Sequence, residues 1–209
     1  MKLTLLSAIF VCCTLAVSAQ DAIRVNYQGQ RPTISDFVWA FLNSRDIESE
    51  DEETDEVYNS VRNAWINHRE GRRQPSNVTL TVDQSNGYVL FEHRDEYEGV
   101  VDLGRVEMCY WNESDGRHKL FAYSVSCFSN GKYSPGQFDG IQFYRYDSNT
   151  KKMTYCEDVG FKARMFDEET NAYVSYALPR AGKDIKVTVW LDSGKKQKTL
   201  KWGGRRFSY

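Results

Sequence analysis

A turn-punctuated run over residues 105–156 restricts the fold of this chain more than any other part of it. It reads RVEMCYWNESDGRHKLFAYSVSCFSNGKYSPGQFDGIQFYRYDSNTKKMTYC. Segments rich in Tyr, Phe and Val are separated by Asn/Ser/Asp/Gly turns, with a Gly/Pro-containing loop in the middle. That is the pattern of consecutive β-hairpins.

The same period-two alternation extends to both sides of the run. It predicts strands over 78–82 and 88–93, joined by an Asn86-Gly87 turn, then a longer strand over 99–111 bent at Gly104. Further strands are expected over 120–128, 141–146, 153–156, 172–178, 185–191 and 199–202, with a turn at Asp192-Ser193-Gly194. The turns resemble one another, but the strands do not recur in sets of four, so a meander is expected rather than propeller blades.

The chain before residue 77 has a different period. Residues 20–32 read as an extended lead-in. Thr33 with Asp36 forms a capping-box start, and Ile34, Phe37, Val38 and Phe41 share one helical face. Acidic side chains crowd residues 46–56, which predicts a solvated loop. Thr54 is then expected to cap a second helix, with Val57, Val61, Ala64 and Trp65 as its apolar stripe and Gly71 as its stop. The expected fold class is α+β. An N-terminal pair of helices packs on a curved, mainly antiparallel β-meander of about eight to nine strands. The predicted domain spans 20–209, with a helical part over 33–71 and the meander over 77–209.

The first residues predict export. Met1-Lys2 is basic, residues 3–17 are almost wholly apolar, and Val17-Ser18-Ala19 offers small residues for cleavage before Gln20. The apolar run is short for a membrane span, which needs about 20 residues. Cys12 and Cys13 lack the flanking small residues of a lipidation site. The expected location is periplasmic, cell-surface or secreted, with no transmembrane segment in the mature chain. Net charge is only −2, so nothing in it asks for nucleic acid as a partner. The acidic run and the basic tail beyond Arg180 read first as solvated surfaces, and second as faces that meet within or between molecules.

Three segments, Glu107-Met-Cys-Tyr-Trp-Asn, Asp115-Gly-Arg-His-Lys-Leu-Phe-Ala and Gly136-Gln-Phe-Asp-Gly140, carry a resemblance. With Phe143-Tyr-Arg-Tyr-Asp147 and Lys152-Met153, they are similar to a group of uncharacterised exported bacterial proteins. The likeness covers residues 33–153. It implies a bacterial, exported chain with an early helix and a β-rich remainder, and it assigns no catalytic or binding residue.

Candidate chemistry is sparse. Cys109 and His118 flank one turn with Asp115 between them, the ingredients of a nucleophile, its base and an orienting carboxylate. A buried structural thiol is the favoured reading of Cys109, and reduced, unpaired thiols are the default for Cys127 and Cys156 as well. Cys109 should lie opposite residue 122, which disfavours a Cys109–Cys127 bridge. His68, His93 and His118 lack metal-ligand spacing, the acidic run lacks the central glycine of a calcium loop, and no metal or cofactor is expected. Asp95, Glu96, Glu98, Asp102 and Glu107 could supply a carboxylate pair, with nothing to place two of them across a cleft. Neither a Gly-x-Ser-x-Gly elbow nor a phosphate loop is present. The sequons at Asn77 and Asn112 would matter only in a eukaryotic secretory route. An outer-membrane barrel is disfavoured because Arg105, Glu107, Lys119, Arg145 and Lys186 interrupt the strands.

Aromatics are the better lead in a chain with 13 Tyr, 11 Phe and 5 Trp. Tyr97, Tyr110, Trp111, Tyr133, Tyr144 and Tyr146 sit beside turns, where rings can stack on a sugar or anchor a peptide, although core packing is the commoner role of such rings. The expected function is therefore binding or scaffolding, with a glycan, peptide or partner protein as ligand. The competing expectation is a secreted hydrolase using a carboxylate or Cys109.

Overall fold

The structure, a computed structural model, describes residues 22–44, 52–136 and 138–209. The expected signal peptide and the first part of the acidic run lie outside these residues. Helix α1 spans Ile34–Leu42 and begins where the capping pattern put it. The Asp36 carboxylate accepts from the Thr33 amide and the Thr33 hydroxyl, each at 2.7 Å. Ile34, Phe37, Val38, Phe41 and Leu42 are all buried, one stripe at the spacing of a helix.

Helix α2 spans Glu52–Arg69, so residues 52–56 of the acidic run belong to a helix and Thr54 lies inside it rather than capping it. Carboxylates in a first turn are favoured by the helix dipole, and this carries the helix further back into the acidic run than the loop reading allowed. Its end is as expected. Gly71 takes φ +66°, and the amides of Gly71 and Arg72 bond back to the carbonyls of His68 and Asn67 in a Schellman closure. Tyr58 donates its hydroxyl to the last carbonyls of α1, and Arg69 lies 4.1 Å over the Trp39 ring, which ties the helices together.

The strands are β1 Ile23–Arg24, β2 Val78–Asp83, β3 Tyr88–Tyr97, β4 Val100–Asn112, β5 His118–Ser129, β6 Lys132–Tyr133, β7 Gly140–Asp147, β8 Lys152–Tyr155, β9 Phe166–Asp167, β10 Ala172–Ala177, β11 Ile185–Leu191, β12 Gly194–Trp202 and β13 Phe207–Ser208. They form an antiparallel meander, but in two sheets rather than one. The first has the order β1-β8-β7-β5-β4-β3-β2, with β6 folded back on β5, and the second has the order β13-β12-β11-β10-β9.

The first sheet is the middle layer of three. On one face Val89, Phe91, Val106, Met108, Phe121 and Tyr146 pack under the two helices. On the other, Tyr88, Cys109, Trp111, Leu120, Ala122 and Phe143 meet Val174, Tyr176, Ile185, Val187 and Leu200 of the second sheet. The helices are thus one cover of this sheet and β9–β13 are the other. Burial on both faces explains why Leu120, Phe121 and Ala122 run consecutively without a polar residue, each wholly inaccessible. The chain passes between the sheets through residues 157–165, and that crossing creates the site described next.

A cleft at the open edge of β7

Strand β7 is paired unequally on its two sides. Against β5 it is laddered along its whole length, from His118 opposite Asp147 to Val125 opposite Gly140. Against β8 the pairing runs only from Asp147 to Tyr144 and closes with the Cys156 amide on the Phe143 carbonyl at 2.8 Å. In an antiparallel ladder the backbone groups of alternate residues face alternate neighbours, so those of Ile141 point the same way as those of Phe143. Beyond Cys156 the chain has left for the second sheet. Among the described residues nothing pairs with the Ile141 amide or carbonyl on that side.

The space left by β8 is a cleft of about 540 Å³, lined by Ile141, Gln142, Phe143 and Tyr155 on the sheet side and by residues 156–163 opposite. A second hollow of about 260 Å³ adjoins it through Ile141, Gln142, Tyr155 and Ala163 and adds Tyr123, Phe138, Asp139, Arg164 and Met165. The far wall is fixed. The Phe207 amide donates to the Val159 carbonyl at 2.8 Å, and the Arg164 amide and carbonyl both bond the Tyr176 hydroxyl, at 3.0 and 2.9 Å. Phe161 stands edge-on to Phe143 at 5.8 Å and contacts Phe207 at 6.0 Å. On the sheet side the Tyr144 hydroxyl donates to Gln142 at 3.2 Å. Tyr155 projects at the rim, 40% exposed, with its edge on Tyr144 at 5.8 Å.

Part of the charge at the cleft is compensated. Asp158 bonds Arg206, and Arg145, which also reaches the Asp158 carbonyl, is held by the buried Glu113 at 2.7 Å. Asp139 accepts from the amides of Cys127 at 2.8 Å and Gly136 at 3.3 Å. Burial, with Asp139 beside it, pushes the Cys127 thiol up to about 12, and burial also raises Cys156. Neither thiol supplies a thiolate near neutral pH.

Cys109 is held protonated even more strongly by complete burial, with the Glu107 charge adding to the effect. It faces Ala122, as its position relative to the turn predicted, and the three cysteines among the described residues are free. His118 lies four residues along β5 from Ala122, roughly 13 Å away at the rise of a strand, so Cys109 and His118 do not form a catalytic pair. Of the carboxylates considered from sequence, Asp95, Glu96, Glu98 and Asp102 cluster at the exposed end of the β3–β4 hairpin, and Glu107 is enclosed between the sheets.

His118 does meet acidic groups. One ligand atom each from Glu113, Asp115 and His118 lies within 4.8 Å of the others. All three are already engaged, Glu113 with Arg145, and Asp115 with the His118 ring at 2.5 Å and with the amides of Arg117 and His118 at 2.9 Å each. His93 bonds Asn77 at 2.8 Å and His68 packs on Trp65, both away from this cluster.

The six aromatics singled out from sequence do not converge on one surface. Tyr97 is exposed at the β3–β4 hairpin end, and Tyr110 is half-buried against Phe37 at 5.3 Å. Trp111 is buried between the sheets beside Phe207 at 5.1 Å and donates to the Lys183 carbonyl at 2.8 Å. Tyr146 is wholly buried against Phe37 at 5.2 Å. Tyr133 stacks on Trp190 at 5.5 Å, with the Asp139 carboxylate near its hydroxyl. Tyr144 is buried behind the cleft. Two of the six, Tyr133 and Tyr144, therefore support the cleft from behind, and none forms its exposed rim. Tyr155, which forms the rim, and the Ile141 backbone at the floor carry no motif. The available signal was a strand ending at Tyr155-Cys156 followed by unpatterned chain to Arg164.

No helix among the described residues is long and apolar enough to cross a membrane. Comparison with family models, with curated proteins and with solved structures returned no match.

Proposed function

We propose that this chain is an exported binding protein whose ligand is an extended peptide segment, added as a strand to the free edge of β7. The observation that carries the reading is the unpartnered amide and carbonyl of Ile141 at the floor of a walled cleft. Sheet edges are normally covered, shortened or charged, because an open one recruits another strand. Here the edge is open but recessed, so a single peptide can reach it while another sheet cannot. Backbone bonds would supply affinity, and alternate side chains would pack on Tyr155 or against the Phe161 ring on the opposite wall. A glycan fits less well, since Tyr155 is the only lining ring in the exposed class and so offers a single stacking face.

The test is selection of a random peptide library displayed on phage against the mature chain, with a glycan array run in parallel. Peptides with alternating apolar residues should be retained. Tyr155→Ala, a rim change that leaves the core intact, should weaken them by about tenfold or more. Ile141→Pro removes the outward-facing amide, at a position where an edge strand accepts proline, together with a side chain packed between the sheets; measured at a temperature where circular dichroism shows the parent fold, it should abolish binding. Retention of a glycan but no peptide, or indifference of selected peptides to both substitutions, would sink the reading.

A further inference from the structure

Another hollow, of about 280 Å³, lies away from the cleft, between the lead-in segment at Gln30–Pro32, the β4–β5 hairpin and the turn after β7. Its walls hold Tyr27, Gln30, Arg31, Asn112, Lys119 and Ser148, among others. The lining also holds Glu113, Arg117 and His118, but two of its cations, Arg31 and Lys119, have no carboxylate partner among the described residues. Arg31 has no hydrogen bond or ion pair among the described residues. Lys119 donates to the Asn112 side-chain carbonyl and sits 4.6 Å over the Tyr110 ring. Both line this one hollow, and burial, with the Arg31 charge adding to it, lowers the Lys119 pKa.

The carboxylates nearby do not answer these charges, because each is committed elsewhere. Glu113 is bound by Arg145 at 2.7 Å. Asp147 receives two bonds from Arg117, at 2.8 and 2.6 Å, which hold it down to about 2. Asp115 is taken by His118 and two backbone amides. What remains is a like-charge pair facing a hollow. Solvent screens part of this repulsion, and a bound anion would relieve the rest.

We infer that this hollow binds a phosphate-type oxyanion, free or as the end of an ester, between Arg31 and Lys119. A doubly charged anion matches two cations. The planar guanidinium can present a fork of donors to it and the ammonium a point charge. Neutral donors are at hand. The Tyr146 hydroxyl donates to the Tyr27 oxygen at 3.3 Å, which leaves the Tyr27 proton for a ligand, and the Asn112 amide nitrogen is free of the bond its carbonyl makes with Lys119.

The experiment titrates inorganic phosphate into the mature chain at constant ionic strength set with chloride, reading thermal unfolding and amide shifts. A saturable response is expected, with a rise of about 3–6 °C in Tm at ten times the dissociation constant. Arg31→Gln, at an exposed position, and Lys119→Gln should each weaken phosphate by about tenfold or more. Lys198→Gln on β12 should leave binding unchanged. Methyl phosphate acting like phosphate would admit an ester end as ligand, and its failure would restrict the hollow to the free ion. Absence of a saturable response in the parent chain overturns the inference. So does an equal response in Arg31→Gln, and so does reproduction of the effect by chloride alone.

Discussion

Glu107 is a charged residue type placed where charge is expensive. It stands on β4 between the sheets, 6% exposed, with the Tyr88 hydroxyl on one oxygen at 2.6 Å and the Leu178 amide on the other at 3.3 Å. Burial raises its pKa above the ordinary 4.5, and the two donors and Arg105 offset this only in part. Between 4.5 and the raised value the folded chain keeps a proton that the unfolded chain has lost. The stability owed to this group is therefore full below the unfolded pKa and declines as pH rises through the folded one. Glu107→Gln removes the titration, and its carbonyl oxygen can still accept from the Tyr88 hydroxyl or from the Leu178 amide. In urea denaturation over about pH 4 to 8, the variant should gain on the parent as pH rises. Parallel profiles would show that the carboxylate is ionised in the folded state at no such penalty.

Among the elements, the crossing segment decides most about the site, and Gly160 holds it in place. Its φ is +92°, and a Cβ there would meet the Phe207 carbonyl oxygen at 2.2 Å and the Phe207 amide at 3.0 Å. Gly160→Ala should push β13 away from Val159 and destabilise the chain by about 2–4 kcal/mol. Hydrogen exchange at the Phe207 amide should speed up far more than exchange in α1. An unchanged Phe207 amide would mean that the contact is not what fixes the wall. This segment also marks where the sequence stops being legible. Helix α1 could be read because Thr33, Asp36 and the apolar spacing all express local geometry, and the hairpins because Asn86-Gly87 and Asp192-Ser193 are turn chemistry. The division into two sheets is a long-range choice, visible beforehand only as the lost alternation at Leu120-Phe121-Ala122. The cleft was less legible still. It arises because β8 stops early and leaves the Ile141 backbone bare, and backbone exposure has no residue signature. Tyr144 and Tyr146 stood out because aromatics beside turns are easily seen, yet their strand parity aims them at the helices.

At the scale of the molecule, β5 is shared by two cores, which predicts that the three layers unfold as one cooperative unit. Phe121 packs beneath the helices, on Phe37 at 5.9 Å and Phe41 at 5.6 Å, while its neighbours Leu120 and Ala122 point into the second sheet. A strand cannot lose one face and keep its register on the other, because a slip of one residue turns every side chain over. Phe121→Ala should therefore cost about 3–5 kcal/mol and weaken both layers, although the side chain belongs to the helix-side core alone. Native-state hydrogen exchange reads this directly. Slowly exchanging amides of α1 and of β11 should converge on one opening free energy in the parent, and both should fall by the same amount in the variant. If β11 kept its full protection while α1 lost it, the second sheet would be a separate folding unit. The crossing segment would then be a linker between two bodies, and the cleft at β7 would open and close with their relative motion instead of being held at a fixed width.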